Sequence, residues 1–98
     1  MGLFQKYAPP TCKQLKAALL KAGFCKENQV GSHEKWAKTD NKGKRWVVTV
    51  DCPKAPFSNT LLVSVANQAG LSKKELLKLC HEKNYEYSED SSLNAVDE

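Results

Sequence analysis

Apolar residues recur at helical spacing from Cys12 through Leu15, Leu19 and Ala22, with Lys13, Lys16 and Lys21 falling away from that stripe. The pattern predicts a first helix. Thr11-Cys12-Lys13-Gln14 reads as its capping box, in which the threonine hydroxyl accepts from the backbone three residues on and Gln14 reaches back. Pro9 and Pro10 keep the helix from starting earlier, and Gly23 stops it because it takes positive φ at no steric cost. From Phe24 to Val50 the period shortens. Phe24 to Gln29 predicts a polar edge strand, Gly31-Ser32 a turn, and Lys35 to Thr39 a second strand. Asp40-Asn41-Lys42-Gly43 is a hairpin turn into a third strand, Arg45 to Val50, with Trp46, Val48 and Val50 on one face. Residues 51–57 form a loop punctuated by proline, after which Ser58 or Asn59 caps a helix carrying Leu62, Val65, Ala66 and Ala69 at i, i+3, i+4 and i+7. Gly70 ends that helix. A second capping box, Ser72-Lys73-Lys74-Glu75, opens a short helix that buries Leu76, Leu79 and Cys80. The order is α-β-β-β-α with an added short C-terminal helix, an α+β fold whose three-stranded antiparallel sheet carries its helices on one face.

Length and composition narrow the class. Ninety-eight residues make one domain, and 41% hydrophobic with 27% charged residues excludes disorder over most of the chain. The apolar runs are far short of the ~20 residues that cross a bilayer, and no basic segment followed by an apolar run opens the chain. A cytoplasmic protein is expected. The charge is uneven: residues 1–83 hold all 15 Lys and Arg against six acids, a balance of +9, whereas residues 84–98 hold five acids and no base. A body this basic points to a polyanionic partner, either nucleic acid or an acidic protein. The expected organisation is an N-terminal extension over residues 1–10, a folded domain over 11–83 and a disordered acidic tail over 84–98.

Four cysteines, Cys12, Cys25, Cys52 and Cys80, stand far apart without a C-x-x-C pair, so neither a zinc site nor a disulfide is expected, and no metal or other cofactor is assigned. Packing is the commoner use of Trp36 and Trp46, with stacking on exposed nucleobases as the alternative. Of the two histidines, His81 sits in a lysine-rich helix end and reads as surface. His33 follows the Gly31-Ser32 turn amid Lys35, Lys38, Lys42, Lys44 and Arg45, where an imidazole suits acid–base work on a phosphodiester.

A lysine-rich helix ending in Gly23-Phe24, then Gly31-Ser32-His33, a glycine-turned hairpin, and Ala69-Gly70-Leu71-Ser72 together resemble the HicA toxins. The resemblance covers about residues 12 to 80. These are small mRNA-cleaving members of type II toxin–antitoxin systems with a double-stranded-RNA-binding-domain-like fold. It implies that His33, in the glycine–serine–histidine motif, is the catalytic residue, that mRNA is the substrate, and that a HicB-type antitoxin covers the site. Lys35 first, then Lys38, Lys44 and Arg45, would bind RNA and stabilise charge. The family often carries an arginine where this chain has Asn28, and Pro-x-His where it reads Asp51-Cys52-Pro53. The expected reaction is metal-independent, His33 drawing the proton from a ribose 2′-hydroxyl that attacks the adjacent phosphorus. The competing expectations are a non-catalytic RNA-binding domain of the same fold and a basic protein-interaction module.

Overall fold

The computed structural model describes residues 7–82 together with Tyr85 and Tyr87. Helix α1 (Cys12–Lys21) starts as its sequence dictates. The Thr11 hydroxyl accepts from the Gln14 N–H at 3.1 Å, and the Gln14 side chain accepts from the Thr11 N–H at 2.8 Å. Two of the donors that a helix start leaves unpaired are thereby satisfied. Leu15, Ala18 and Leu19 on its apolar stripe are fully buried. The chain turns out of α1 through Gly23 at φ +96° and drops Phe24 into the core, so the first strand, β1 (Cys25–Val30), begins one residue later than expected. All six residues of β1 are exposed, the burial of a polar edge strand.

Strands β2 (His33–Thr39) and β3 (Arg45–Asp51) complete an antiparallel sheet in the order β1-β2-β3. Asp40 builds the turn between them. Its Oδ1 accepts from the Lys42 and Lys44 N–H groups, both at 2.9 Å, and its Oδ2 accepts from the Trp46 indole at 3.0 Å. Those bonds, the indole's foremost, hold the Asp40 carboxyl below the usual aspartate range.

A short 3-10 turn (Cys52–Lys54) leads to α2 (Asn59–Ala69) and α3 (Lys73–His81). Ser58 caps α2 by accepting from the Leu61 N–H, and Ser72 caps α3 by accepting from the Glu75 N–H. The second capping box closes only in this half. The Glu75 carboxylate instead accepts from the Tyr85 hydroxyl at 2.7 Å, which pushes that phenol up to about 12. Helix α1 packs on α3, and α2 packs on β3 and α3, so the helices cover one face of the sheet and meet Trp36, Val48 and Val50 there. Both tryptophans are packing residues. Trp36 is 5% exposed, and the half-buried Trp46 ring lies where a Cβ on Gly70 would come within 2.9 Å of it. Gly70 therefore serves twice, taking φ +74° to end α2 and leaving room for the indole.

Two expectations are corrected. Cys12 and Cys52 form a disulfide, with Cα atoms 5.3 Å apart. Compartment reasoning argued against it, but tertiary packing brings the first turn of α1 beside the residue that follows β3. Cys25 stays an exposed thiol and Cys80 a half-buried one, whose burial pushes it up to about 12. His81 is also more covered than a surface histidine: its ring stacks on Tyr7 with centroids 5.1 Å apart, and its Nε2 lies 2.9 Å from the Ala8 carbonyl oxygen. Residues 7–10 thus lie against the end of α3, with Pro10 buried. The expected acidic tail lies outside the described residues except for Tyr85 and Tyr87, which pack against the core.

Candidate active site on the open face of the sheet

His33 is the first residue of β2 and not a turn residue; Gly31 at φ +60° and Ser32 make the bend before it. Strand alternation then decides which way it faces. Glu34 and Trp36 point to the helices and are buried, so His33 and Lys35 point to the bare face. The imidazole side chain is 63% exposed.

The hairpin register supplies its neighbour. Thr39 pairs with Arg45, each step back along β2 is matched by a step forward along β3, and the ladder ends with His33 opposite Asp51. The His33 Nε2 lies 3.3 Å from Asp51 Oδ2. The other carboxylate oxygen, Oδ1, accepts from the Ser32 hydroxyl at 2.8 Å. Ser32, expected only as part of the bend, therefore also reaches the site.

Two clefts meet at His33. One, of about 150 Å³, is lined by Asn28, Val30, His33, Lys35 and Thr49 among others. The second, of about 190 Å³, has His33, Asp51 and Lys54 at its polar side and Phe57, Leu61 and Val65 among its apolar wall. Lys35 makes no hydrogen bond among the described residues, and neither does Lys54. Both share a cleft with His33, and the Lys35 charge also helps to hold down the Glu27 carboxyl.

The remaining expected cations lie elsewhere. Lys38 points to the helix side, donating to the Ala22 carbonyl at 2.9 Å with its ammonium 5.2 Å from the centre of the Phe24 ring. Lys44 sits over the Trp46 ring at 4.0 Å. Arg45 is on the open face at the far end of the sheet, where it binds both oxygens of Glu27 at 2.6 and 2.8 Å. The Arg45 hydrogen bond holds the Glu27 carboxyl below its usual range and raises the guanidinium in turn. Of the four cations expected to serve RNA, only Lys35 is brought to His33.

Behind the site, Glu34 is 6% exposed and anchors β2 from below. Its Oε1 accepts from the Trp36 indole at 3.1 Å, and its Oε2 accepts from Lys16 Nζ at 3.2 Å. Burial pushes this carboxyl up, but the hydrogen bonds from Trp36 and Lys16 outweigh it and the net shift is downward.

Asp51 and Lys54 are the site residues that sequence reading missed. The signal for Asp51 was present in the turn: a hairpin closed by Asp40 to Gly43 with Thr39 opposite Arg45 forces Asp51 beside His33. Lys54 carried no such signal, because its position depends on how the 3-10 turn folds back. Among the described residues no group of three or more His, Cys, Asp or Glu comes together as a metal-ligand set, and no helix is long and apolar enough to cross a membrane. The arrangement offers a proton acceptor on an open surface, a carboxylate that pairs with it, and two cations in the same clefts that make no hydrogen bond among the described residues.

A family model described as the HicA toxin of bacterial toxin–antitoxin systems matches residues 12–71, more than half of the chain. No curated protein and no solved structure matches it.

Proposed function

The chain belongs to the HicA toxin family, and we propose that it is an endoribonuclease that cuts mRNA through His33 alone, without a metal ion. Family membership makes it the toxin of a toxin–antitoxin system, in a family of generally ribonucleolytic toxins. The observation that carries the finer reading is the placement of His33: a 63% exposed imidazole on the open sheet face, with Lys35 and Lys54, neither hydrogen-bonded among the described residues, in the two clefts that it lines.

The chemistry follows from what such a group can do. A ribose 2′-hydroxyl beside a phosphodiester becomes a nucleophile when a base removes its proton, and its oxygen then attacks the adjacent phosphorus. His33 takes that proton. Negative charge that builds on the phosphorane oxygens is stabilised by Lys35 and Lys54, as fixed cations stabilise developing charge in other active sites. The 2′-oxygen–phosphorus bond forms and the bond to the 5′-oxygen breaks, leaving a 2′,3′-cyclic phosphate and a 5′-hydroxyl. The departing 5′-oxygen takes a proton from water while the imidazolium returns its own to solvent. One positioned base contributes about 10²–10⁴-fold, enough for a toxin that acts on many messages.

The partner proposed for the bare face is a HicB-type antitoxin. Val30, 70% exposed, and Val47, 36% exposed, lie on that face with no helix of the described residues over them. A protein seated there would cover His33 directly.

Incubation of purified protein with RNA in EDTA tests the reading. Wild-type protein is expected to cut, and His33→Ala to bind without cutting. Cutting abolished by chelation would overturn the metal-free route. Equal cutting by His33→Ala would overturn the assignment of the base, and RNA binding without cleavage by the wild type would favour the non-catalytic RNA-binding domain.

A further inference from the structure

The His33 ring has two nitrogens, and the fold treats them differently. Nε2 faces the Asp51 carboxylate at 3.3 Å, whereas Nδ1 meets no partner among the described residues. The two meet as an ion-pair contact and not as an aligned hydrogen bond, and catalytic hydrogen bonds commonly align only when substrate fills a site. We propose that Asp51 is a positioning residue which claims Nε2 of His33, so that Nδ1 is the atom that takes the 2′-hydroxyl proton. This rests on the ribonuclease reading of the site and adds to it the orienting group and the reacting nitrogen.

Three features make Asp51 a holder and not an accidental neighbour. The pair is the terminal rung of the β2–β3 ladder, and directly opposed residues on one sheet face bring their Cβ atoms within about 4.5–5.5 Å. The carboxylate is also more sheltered than the ring, 16% against 63% exposed, so the orienting group is the better fixed of the two. Finally, each of its oxygens has its own partner. Ser32 donates to Oδ1 at 2.8 Å, which restrains the carboxylate and leaves Oδ2 as the oxygen nearest the ring.

The backbone around it is anchored as well. Asp51 precedes the 3-10 turn but makes no side-chain cap to it, so its carboxylate is not spent there. The next residue, Cys52, is bonded to Cys12 at the start of α1. The end of β3 is thereby tied to the helix layer, and Asp51 cannot drift from His33 without moving that link.

The tautomer follows. A carboxylate can only accept, so the neutral ring places its hydrogen on Nε2 and leaves the lone pair on Nδ1. When Nδ1 takes the substrate proton, the ring's positive charge forms against the carboxylate.

Asp51→Asn, Asp51→Ala and Ser32→Ala, compared with wild type on one RNA, test this. Asp51→Ala is expected to lower kcat by about 10–100-fold, a share of the ~10²–10⁴ that a positioned base supplies, with KM within about twofold. Ser32→Ala should lose less. Melting temperatures close to wild type are expected, because the pair lies at the open end of the ladder; a kcat loss that simply tracks a melting loss would reduce Asp51 to a structural staple and overturn the proposal. A second arm is independent of activity: ¹⁵N NMR of the RNA-free protein under alkaline conditions, where the imidazole is neutral. A ring predominantly in the Nε2–H tautomer, shifting to a mixture in Asp51→Ala, supports the proposal, and an Nδ1–H ring overturns it. If wild-type protein cuts no RNA, the ribonuclease reading falls, while the NMR arm still decides whether Asp51 sets the ring.

Discussion

Replacing Glu34 separates two interactions that one buried carboxylate holds. In Glu34→Leu the Trp36 indole N–H, on a ring only 5% exposed, loses its acceptor. An unsatisfied buried donor costs about 1–3 kcal/mol. Lys16, with its side chain 33% exposed, turns to water, and its ion pair is worth no more than about 1 kcal/mol after screening. The leucine recovers roughly 1 kcal/mol through added apolar burial. The net loss is about 0–3 kcal/mol with a midpoint near 1.5 kcal/mol, which at that midpoint is a melting decrease of roughly 6–12 °C for a domain of this size. Glu34→Gln keeps an acceptor for Trp36 and gives up only the charge, about 1 kcal/mol or less. The two variants also differ from wild type in acid. A carboxyl whose folded pKa is depressed stabilises the fold above its unfolded value and loses that contribution as pH falls through the folded value. Glu34 is lowered from 4.5, so part of the wild-type decline below that pH belongs to it and disappears in Glu34→Gln. Thermal melts followed by circular dichroism across the acid range measure both effects. Glu34→Leu melting above wild type, or an acid slope in Glu34→Gln identical to wild type, would refute the reasoning.

Three further predictions follow from single contacts. Gly70→Ala forces a side chain into φ +74° and places its Cβ 2.9 Å from the Trp46 ring; a loss of about 2–4 kcal/mol is expected in chemical denaturation, and a loss under about 0.5 would show that the ring moves freely. Cys12→Ser opens a loop of sequence separation 40, worth about 4 kcal/mol in chain entropy, so its melting point should fall below that of the oxidised wild type and no longer respond to reductant. Iodoacetamide at neutral pH should label the exposed Cys25 and spare Cys80, whose thiol is pushed up to about 12 by burial; peptide mapping that finds Cys80 labelled first would contradict its burial.

Much of the fold is legible in the chain because it is set locally. Thr11 with Gln14, Ser58 and Ser72 mark helix starts through hydrogen bonds that span only three residues, and Gly23 and Gly70 mark exits through backbone angles that other residues resist. The site was less legible because its parts come from different elements. His33 stands out by its motif, but charge density around it misled: Lys38, Lys44 and Arg45 are near in sequence and are spent on Ala22, Trp46 and Glu27. Pleating sends alternate residues to opposite faces, so adjacency in the chain separates side chains that a charge count groups together. The reverse holds for the triplet Asp51-Cys52-Pro53, which reads as a departure from the family pattern. There the fold places a carboxylate against His33, which counting back along the hairpin register reveals, and a sulfur against Cys12, which no local spacing does.

The central claim is that His33 works by taking a 2′-hydroxyl proton. It is tested most directly by an RNA oligonucleotide carrying a 2′-O-methyl group at the one linkage the protein cuts, compared with the unmodified strand. The account predicts that the unmodified strand yields a 2′,3′-cyclic phosphate and a 5′-hydroxyl and that the methylated linkage stays whole. Cleavage at the methylated linkage, or a 5′-phosphate end on the product, would contradict it.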